Sequence, residues 1–220
     1  MLPFVLPFIL YLVFSLFAAQ LVDLYPFIYF CTVIVVGAVT ILLLRGRGII
    51  KVHRHIAPGI IVGVGGIVLW IYLCRLHLEQ YIFQLMPAWL VPAERVSFNP
   101  FQSIVNPIWQ WGFIVVRTLG LAVLVPVVEE VFWRGFLLRW VISPDWQEQE
   151  IGAFTWSSFL WVTLLFTLSH PEWLAAAVYG ALLNILLYWR RDLWNCIVAH
   201  GISNLLLVFY VIYFKSWGLW

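Results

Sequence analysis

The sequence predicts an all-α polytopic membrane protein, about seven transmembrane helices arranged around a polar intramembrane cavity. The chain is 64% hydrophobic and only 10% charged, where a soluble domain carries about a quarter charged residues. Its mean hydropathy is +0.99, and its apolar residues gather in runs near the 20 or so that a helix needs to cross the hydrocarbon core. Within those runs, ionisable residues are few and clustered.

The runs define the spans in order. Residues 4 to 22 form the first; no Lys or Arg precedes Arg45, so the segment lacks the basic flank of a cleaved signal peptide and reads as a true span. The others are 26 to 44, 57 to 74, 110 to 140, 153 to 170, 173 to 189 and 192 to 213. The fourth overruns the bilayer, and Pro126 inside it is expected to kink it by removing a backbone hydrogen bond. Arg45, Arg47, Lys51 and Arg54 follow span two, Arg139 ends span four, and Arg190 and Arg191 separate spans six and seven. Seven spans put these on one side, which the positive-inside rule assigns to the cytoplasm, with the amino terminus inside and the carboxyl terminus outside. Residues 75 to 106 are too polar to span and read as an ordinary long loop on the outer surface. One integral-membrane unit, 1 to 220, is expected, with its chemistry in a core of residues 107 to 213.

Several function classes drop out. There is no basic block, phosphate loop or zinc-finger spacing, so nucleic acid is not an expected partner. Cys31, Cys74 and Cys196 sit singly in apolar runs, as small buried hydrophobes do. No internal repeat suggests an inverted-repeat transporter, and no GxSG elbow suggests a serine protease. His53, His55 and His77 fall in loops or at a span end, where solvated histidine is expected. The fourteen Trp and nine Tyr read as interface anchors and packing.

The polar residues at depth carry the information, since each costs a few kcal/mol to insert and normally faces a cavity with a partner. They are Glu129, Glu130, Arg134, His170 and His200, with the amide of Asn204. Glu130 and Arg134 are four apart on one helical face, in the order that favours an ion pair, while Glu129 is turned about 100° away. His200 and Asn204 likewise share a stripe of span seven. Counted from the cytoplasmic helix ends at 1.5 Å per residue, Glu129 lies roughly 16 Å deep, His200 roughly 12 Å and His170 roughly 25 Å. Three spans can therefore bring their polar groups near one another.

Peptide hydrolysis inside a membrane needs an admitted water, a base and oxyanion donors. A glutamate in low dielectric beside a second carboxylate resists ionisation and is basic enough to take a proton from water near neutral pH. Glu129 is the candidate base, with Arg134 holding Glu130 ionised. His170 can share the water, and His200 with Asn204 can supply donors. The same Glu129, His170 and His200 could instead ligate zinc, leaving a fourth position for water. A proton relay or a non-catalytic scaffold, immunity or sorting factor would use the same set differently.

These residues stand in recognisable motifs: EEVFWR (129 to 134), FTLSH (166 to 170) and HGISN (200 to 204). In order and spacing they resemble the EExxxR, FxxxH and HxxxN motifs of the CAAX-protease and bacteriocin-processing (CPBP) family of intramembrane proteases. FWRGFLLRW and RRDLWNCIVAHGISNLLL are further similar to a bacterial subgroup of CAAX prenyl protease-related proteins that accompanies exosortase-type sorting. The resemblance implies a bacterial plasma-membrane endopeptidase without a cofactor, acting on the membrane-embedded tail or leader of a protein. It implies Glu129 and His170 as water-activating residues, His200 and Asn204 as the oxyanion site, and Glu130 and Arg134 as support. Trp133, aromatic where the motif is variable, is expected to narrow the pocket.

Overall fold

A computed structural model describes residues 1–92, 95 and 97–220. Among them all regular structure is helical: α1 (Leu2–Gln20), α2 (Tyr25–Leu44), α3 (Ala57–Leu76), α4 (Leu78–Phe83), α5 (Pro100–Ser103), α6 (Pro107–Leu119), α7 (Val125–Phe132), α8 (Leu138–Ile142), α9 (Trp156–Leu168), α10 (Trp173–Arg190) and α11 (Leu193–Phe214). The architecture is that of a polytopic membrane protein. Six helical stretches are long and apolar enough to cross a bilayer, the longest being Pro107–Ile142, which joins α6, α7 and α8.

The fifth expected span is shorter than its sequence suggested. Apolar composition runs from 153 to 170, but Thr155 and Ser158 form a capping box that starts α9, and the helix ends at Leu168. At 13 residues its length is roughly 20 Å, short of the hydrocarbon core. His170 consequently falls in the turn between α9 and α10.

The long stretch departs from α geometry at two places, the π-helical turns Gly120–Leu124 and Trp133–Leu137. The expected disturbance by Pro126 falls in the turn before it. Val125 N–H reaches back to the Gly120 carbonyl, five residues away, and Pro126 has no N–H to offer. The Leu121 carbonyl is thereby left for another donor, the Asn204 amide of α11, at 2.8 Å. Such π turns commonly occur at functional sites.

Helix α11, which carries His200 and Asn204, packs closely on α3. Small residues make the approach possible: a Cβ on Gly63 would lie 2.6 Å from the Ala199 carbonyl oxygen, and one on Gly59 2.7 Å from that of Asn195. The Gly59 N–H donates to Asn195 Oδ1 at 3.0 Å, and Asn195 Nδ2 to the His55 carbonyl at 3.2 Å. His53, expected to be solvated, instead faces Asp192 at 3.4 Å, and its carbonyl accepts from Trp194. On the other flank α1 packs on α2 and α7, with Phe8 stacked on Phe132.

Residues 75 to 106 do more than an ordinary loop, although residues 93, 94 and 96 of that segment lie outside the described ones. Glu79 accepts from the Leu174 N–H at 2.8 Å and so caps α10 from a distance. Phe83 stacks edge-on against Trp173, and the Phe98 carbonyl accepts from the buried Trp220 indole at 3.1 Å. The segment forms a strap over the α9–α10 turn.

Gly63→Ala should lower stability by about 1–3 kcal/mol through overpacking against backbone that cannot yield. Chemical or thermal unfolding in detergent measures this; Gly65→Ala, where a Cβ meets nothing within 4 Å, should be nearly neutral.

Candidate active site

The most buried polar group is the pair Glu130 and Arg134, both with side chains 0% exposed. Arg134 Nη1 donates to Glu130 Oε1 at 3.2 Å, Nε to Asn184 Oδ1 at 3.0 Å and Nη2 to the Gly180 carbonyl at 3.1 Å. Its planar face lies over Phe166, 4.7 Å to the ring centroid. Asn184 in turn donates to Thr163 Oγ1 at 3.1 Å. One arginine thus ties α7 to α9 and α10, as the i,i+4 spacing predicted for its first partner alone.

Glu130 has a second partner that the spacing did not show. His200 Nδ1 lies 2.7 Å from the same Oε1, so the ring donates from Nδ1 to the carboxylate and Nε2 is the nitrogen left for other chemistry. His170 is held comparably: Nδ1 lies 2.8 Å from the Phe166 carbonyl, which can only accept. Its Nε2 is likewise left over. Two histidines from different elements are thus both fixed through Nδ1.

Glu129 projects elsewhere. It is 6% exposed, and its Oε2 is buried without a hydrogen-bond partner among the described residues. It lines a cavity of about 80 Å³ together with His170, His200, Asn204, Tyr179 and Ser203. A water needs roughly 10–15 Å³ of such space and two or more polar partners, so several waters fit. The four residues expected to meet across three spans therefore do share one hollow. Asn204 spends one amide proton on Leu121, leaving its second N–H and its Oδ1.

One expectation needs correction. Trp133 does not narrow the cavity: it is 4% exposed and packs against Phe8, Phe132 and Phe166 in the core, because its place one residue before Arg134 turns it to another face. Among the described residues no group of three His, Cys, Asp or Glu side chains is arranged to hold a metal ion.

Two further cations escaped the sequence reading. Arg95, on the strap, lines the same hollow and forms a forked pair with Glu172, Nε to Oε1 and Nη2 to Oε2, each 3.0 Å. Nothing in the pattern around Arg95 marked it, since its role depends on a long-range fold-back. Arg117 lies in the fourth span and could have been found by the rule that marked the others, as an ionisable residue at depth. It is 6% exposed.

A helical membrane protein with a polar, partly enclosed cavity is the class that this fold and site define. Residues 110–206 match a family model described as Type II CAAX prenyl endopeptidase Rce1-like. That stretch is similar to CAAX-type peptidases and contains Glu129, Glu130, Arg134, His170, His200 and Asn204. No curated protein and no solved structure matches the chain.

Arg134→Leu should destabilise the protein by about 3–5 kcal/mol, because it strands the Glu130 charge in a fully buried setting; denaturant unfolding in micelles provides the measurement. A further outcome concerns the strap. Burial acts to raise the Glu172 carboxyl, but the paired Arg95 guanidinium outweighs it and holds the group below the ordinary carboxylate range. A depressed folded value means that the latch stabilises above the unfolded value and is lost as pH falls through the lower folded one. Hydrogen exchange of residues 78–92, corrected for intrinsic rates, should stay slow from pH 8 to below the usual carboxylate range, whereas Glu172→Gln should speed it already at neutral pH.

Proposed function

We propose that the chain is a glutamate-dependent intramembrane endopeptidase of the CPBP family, cleaving peptide bonds in membrane-associated protein tails or leaders. The observation that carries this reading is the buried, unpartnered Glu129 carboxylate sharing one hollow with His170, His200 and Asn204. The similarity of residues 110–206 to CAAX-type endopeptidases supports it independently.

In this reading a water sits between Glu129 and His170 Nε2. Glu129 takes its proton as the oxygen attacks the scissile carbonyl, and His170, fixed through the Phe166 carbonyl, orients the same water. The carbonyl oxygen becomes an oxyanion. It accepts from the second N–H of Asn204 and from Nε2–H of His200 when that ring carries both protons. Glu130 faces the ring from the other side, and Arg134 keeps that carboxylate in place. Collapse of the intermediate breaks the C–N bond, and Glu129 returns its proton to the leaving amine.

The basic loops are assigned to the cytoplasm, with the amino terminus inside and the strap outside. A bacterial plasma-membrane setting and an exosortase-associated sorting role extend the reading. They rest on the FWRGFLLRW and RRDLWNCIVAHGISNLLL stretches.

The test is purified protein in liposomes with lipid-anchored tail peptides. Glu129→Gln, nearly isosteric, should slow cleavage about 10²–10⁴-fold, the range of general acid–base contributions, with unfolding behaviour unchanged. A chelator should leave the wild-type rate intact. Loss of activity with chelator, restored by zinc, would replace the water-only mechanism, and full biological activity in Glu129→Gln would replace the enzyme with a scaffold.

A further inference from the structure

The hollow at Glu129 and His170 continues into a second, larger one of about 320 Å³, walled by α1, α2 and α6. Tyr11, Arg95, Leu121, Glu129, His170 and Trp220 border both, and the Arg95 charge is already matched by Glu172. Arg117 of α6 lines the second hollow and not the first. Its guanidinium carbon lies 4.5 Å from the Tyr29 ring centroid and 5.4 Å from those of Tyr25 and Trp220.

Those rings recover part of the cost of burying a cation, but they accept no conventional hydrogen bonds. Arg117 Nε is buried with no acceptor, and among the described residues no carboxylate lies within ion-pair distance of the side chain. The Tyr29 hydroxyl, directed at the Arg117 carbonyl at 3.4 Å, offers the guanidinium a neutral oxygen but no charge. The other buried arginines differ: Arg134 has three acceptors, and Arg139 donates to the Gly135 and Gln149 carbonyls. A guanidinium keeps its proton and offers five donors in a fixed fork that matches a carboxylate.

We propose that Arg117 anchors a carboxylate-binding subsite, where the substrate peptide seats an anionic group while the bond to be cut lies between Glu129 and His170. This rests on the protease reading above. The position of the anion follows from charge, because the Glu129 carboxylate repels a second negative group at its own end of the space. Arg117 and Glu129 lie twelve residues apart on one continuous helical stretch, roughly 18 Å. Extended chain advances about 3.3 Å per residue, so the carboxylate falls about five residues or fewer from the scissile bond. A phospholipid phosphate is the less fitting occupant, because the same space is bordered by Glu129 and His170, between which the peptide bond lies in the protease reading.

The experiment uses the full chain in liposomes, in the Glu129→Gln background so that ligand is retained, and a sequence-randomised pool of short N-palmitoylated peptides carrying a photo-crosslinker. The pool is made with a free terminal carboxylate, with a terminal amide, and with an amide-capped terminal aspartate. Free acid should be retained about tenfold or more above the amide, the size expected of hydrogen bonds to a charged group. Recovery by the capped aspartate would show that a side-chain carboxylate also serves. Arg117→Gln should erase the preference without weakening amide retention, and Arg117→Lys, which keeps charge but not the fork, should retain part of it. If Arg117→Gln does not fold, the acid-to-amide ratio in the parent and in Arg117→Lys decides. Equal retention of acid and amide overturns the proposal, as does a preference that survives Arg117→Gln. Phospholipid lost on Arg117→Gln with acid and amide indistinguishable also overturns it, and assigns the arginine to a lipid phosphate. Acid preference without any cleavage by the unmodified protein would leave the subsite standing and remove the protease reading; cleavage without preference would do the reverse.

Discussion

The arrangement depends on one buried ion pair, Glu130 with Arg134. In hydrocarbon an unpaired charge or an unsatisfied polar group is costly, so a glutamate and an arginine at 0% exposure persist only where their partners are in place. The partners come from elsewhere in the chain: Asn184 and the Gly180 carbonyl from α10, the Phe166 face from α9 and His200 from α11. Sliding any of these helices by a turn would strand a charge. The pair therefore fixes register more than it adds net stability, since desolvation offsets much of the attraction within a buried pair.

Backbone geometry extends the same logic to the far side of the cavity. Pro126 withholds an N–H, Val125 reaches back to Gly120, and the Leu121 carbonyl is left to Asn204. A break in helix α6–α7 thus becomes an anchor for α11. His200 and Asn204 are held at one end by a side chain and at the other by backbone, while both histidines keep Nε2 for the hollow. The short α9 completes the geometry, because ending at Leu168 it leaves His170 in the turn to α10, where it lines the same hollow as Glu129.

The strap and the second hollow show that the polar interior is larger than the motif residues. Arg95 closes one wall through Glu172, and Arg117 lines the other space under three aromatic rings. One cation is matched within the described chain and the other is not. Both face cavity, and the contrast is one of charge: Arg95 has the Glu172 carboxylate, whereas no carboxylate among the described residues pairs with Arg117.

Much of this was legible in the residues. Composition and run length set the helical membrane class, because a chain this apolar must satisfy its backbone internally. The i,i+4 spacing of Glu130 and Arg134, and of His200 and Asn204, placed each pair on a shared face, since helical periodicity is a local property. Arg117 was equally visible, as an ionisable residue inside the apolar run 110 to 140. Tertiary structure alone decided the rest. That Glu130 rather than Glu129 meets His200, that Asn204 ties to Leu121, and that Arg95 arrives from a strap about 75 residues from its partner Glu172 are long-range pairings. Which of two adjacent carboxylates finds a donor depends on where another helix comes to rest, and no local periodicity encodes that distance.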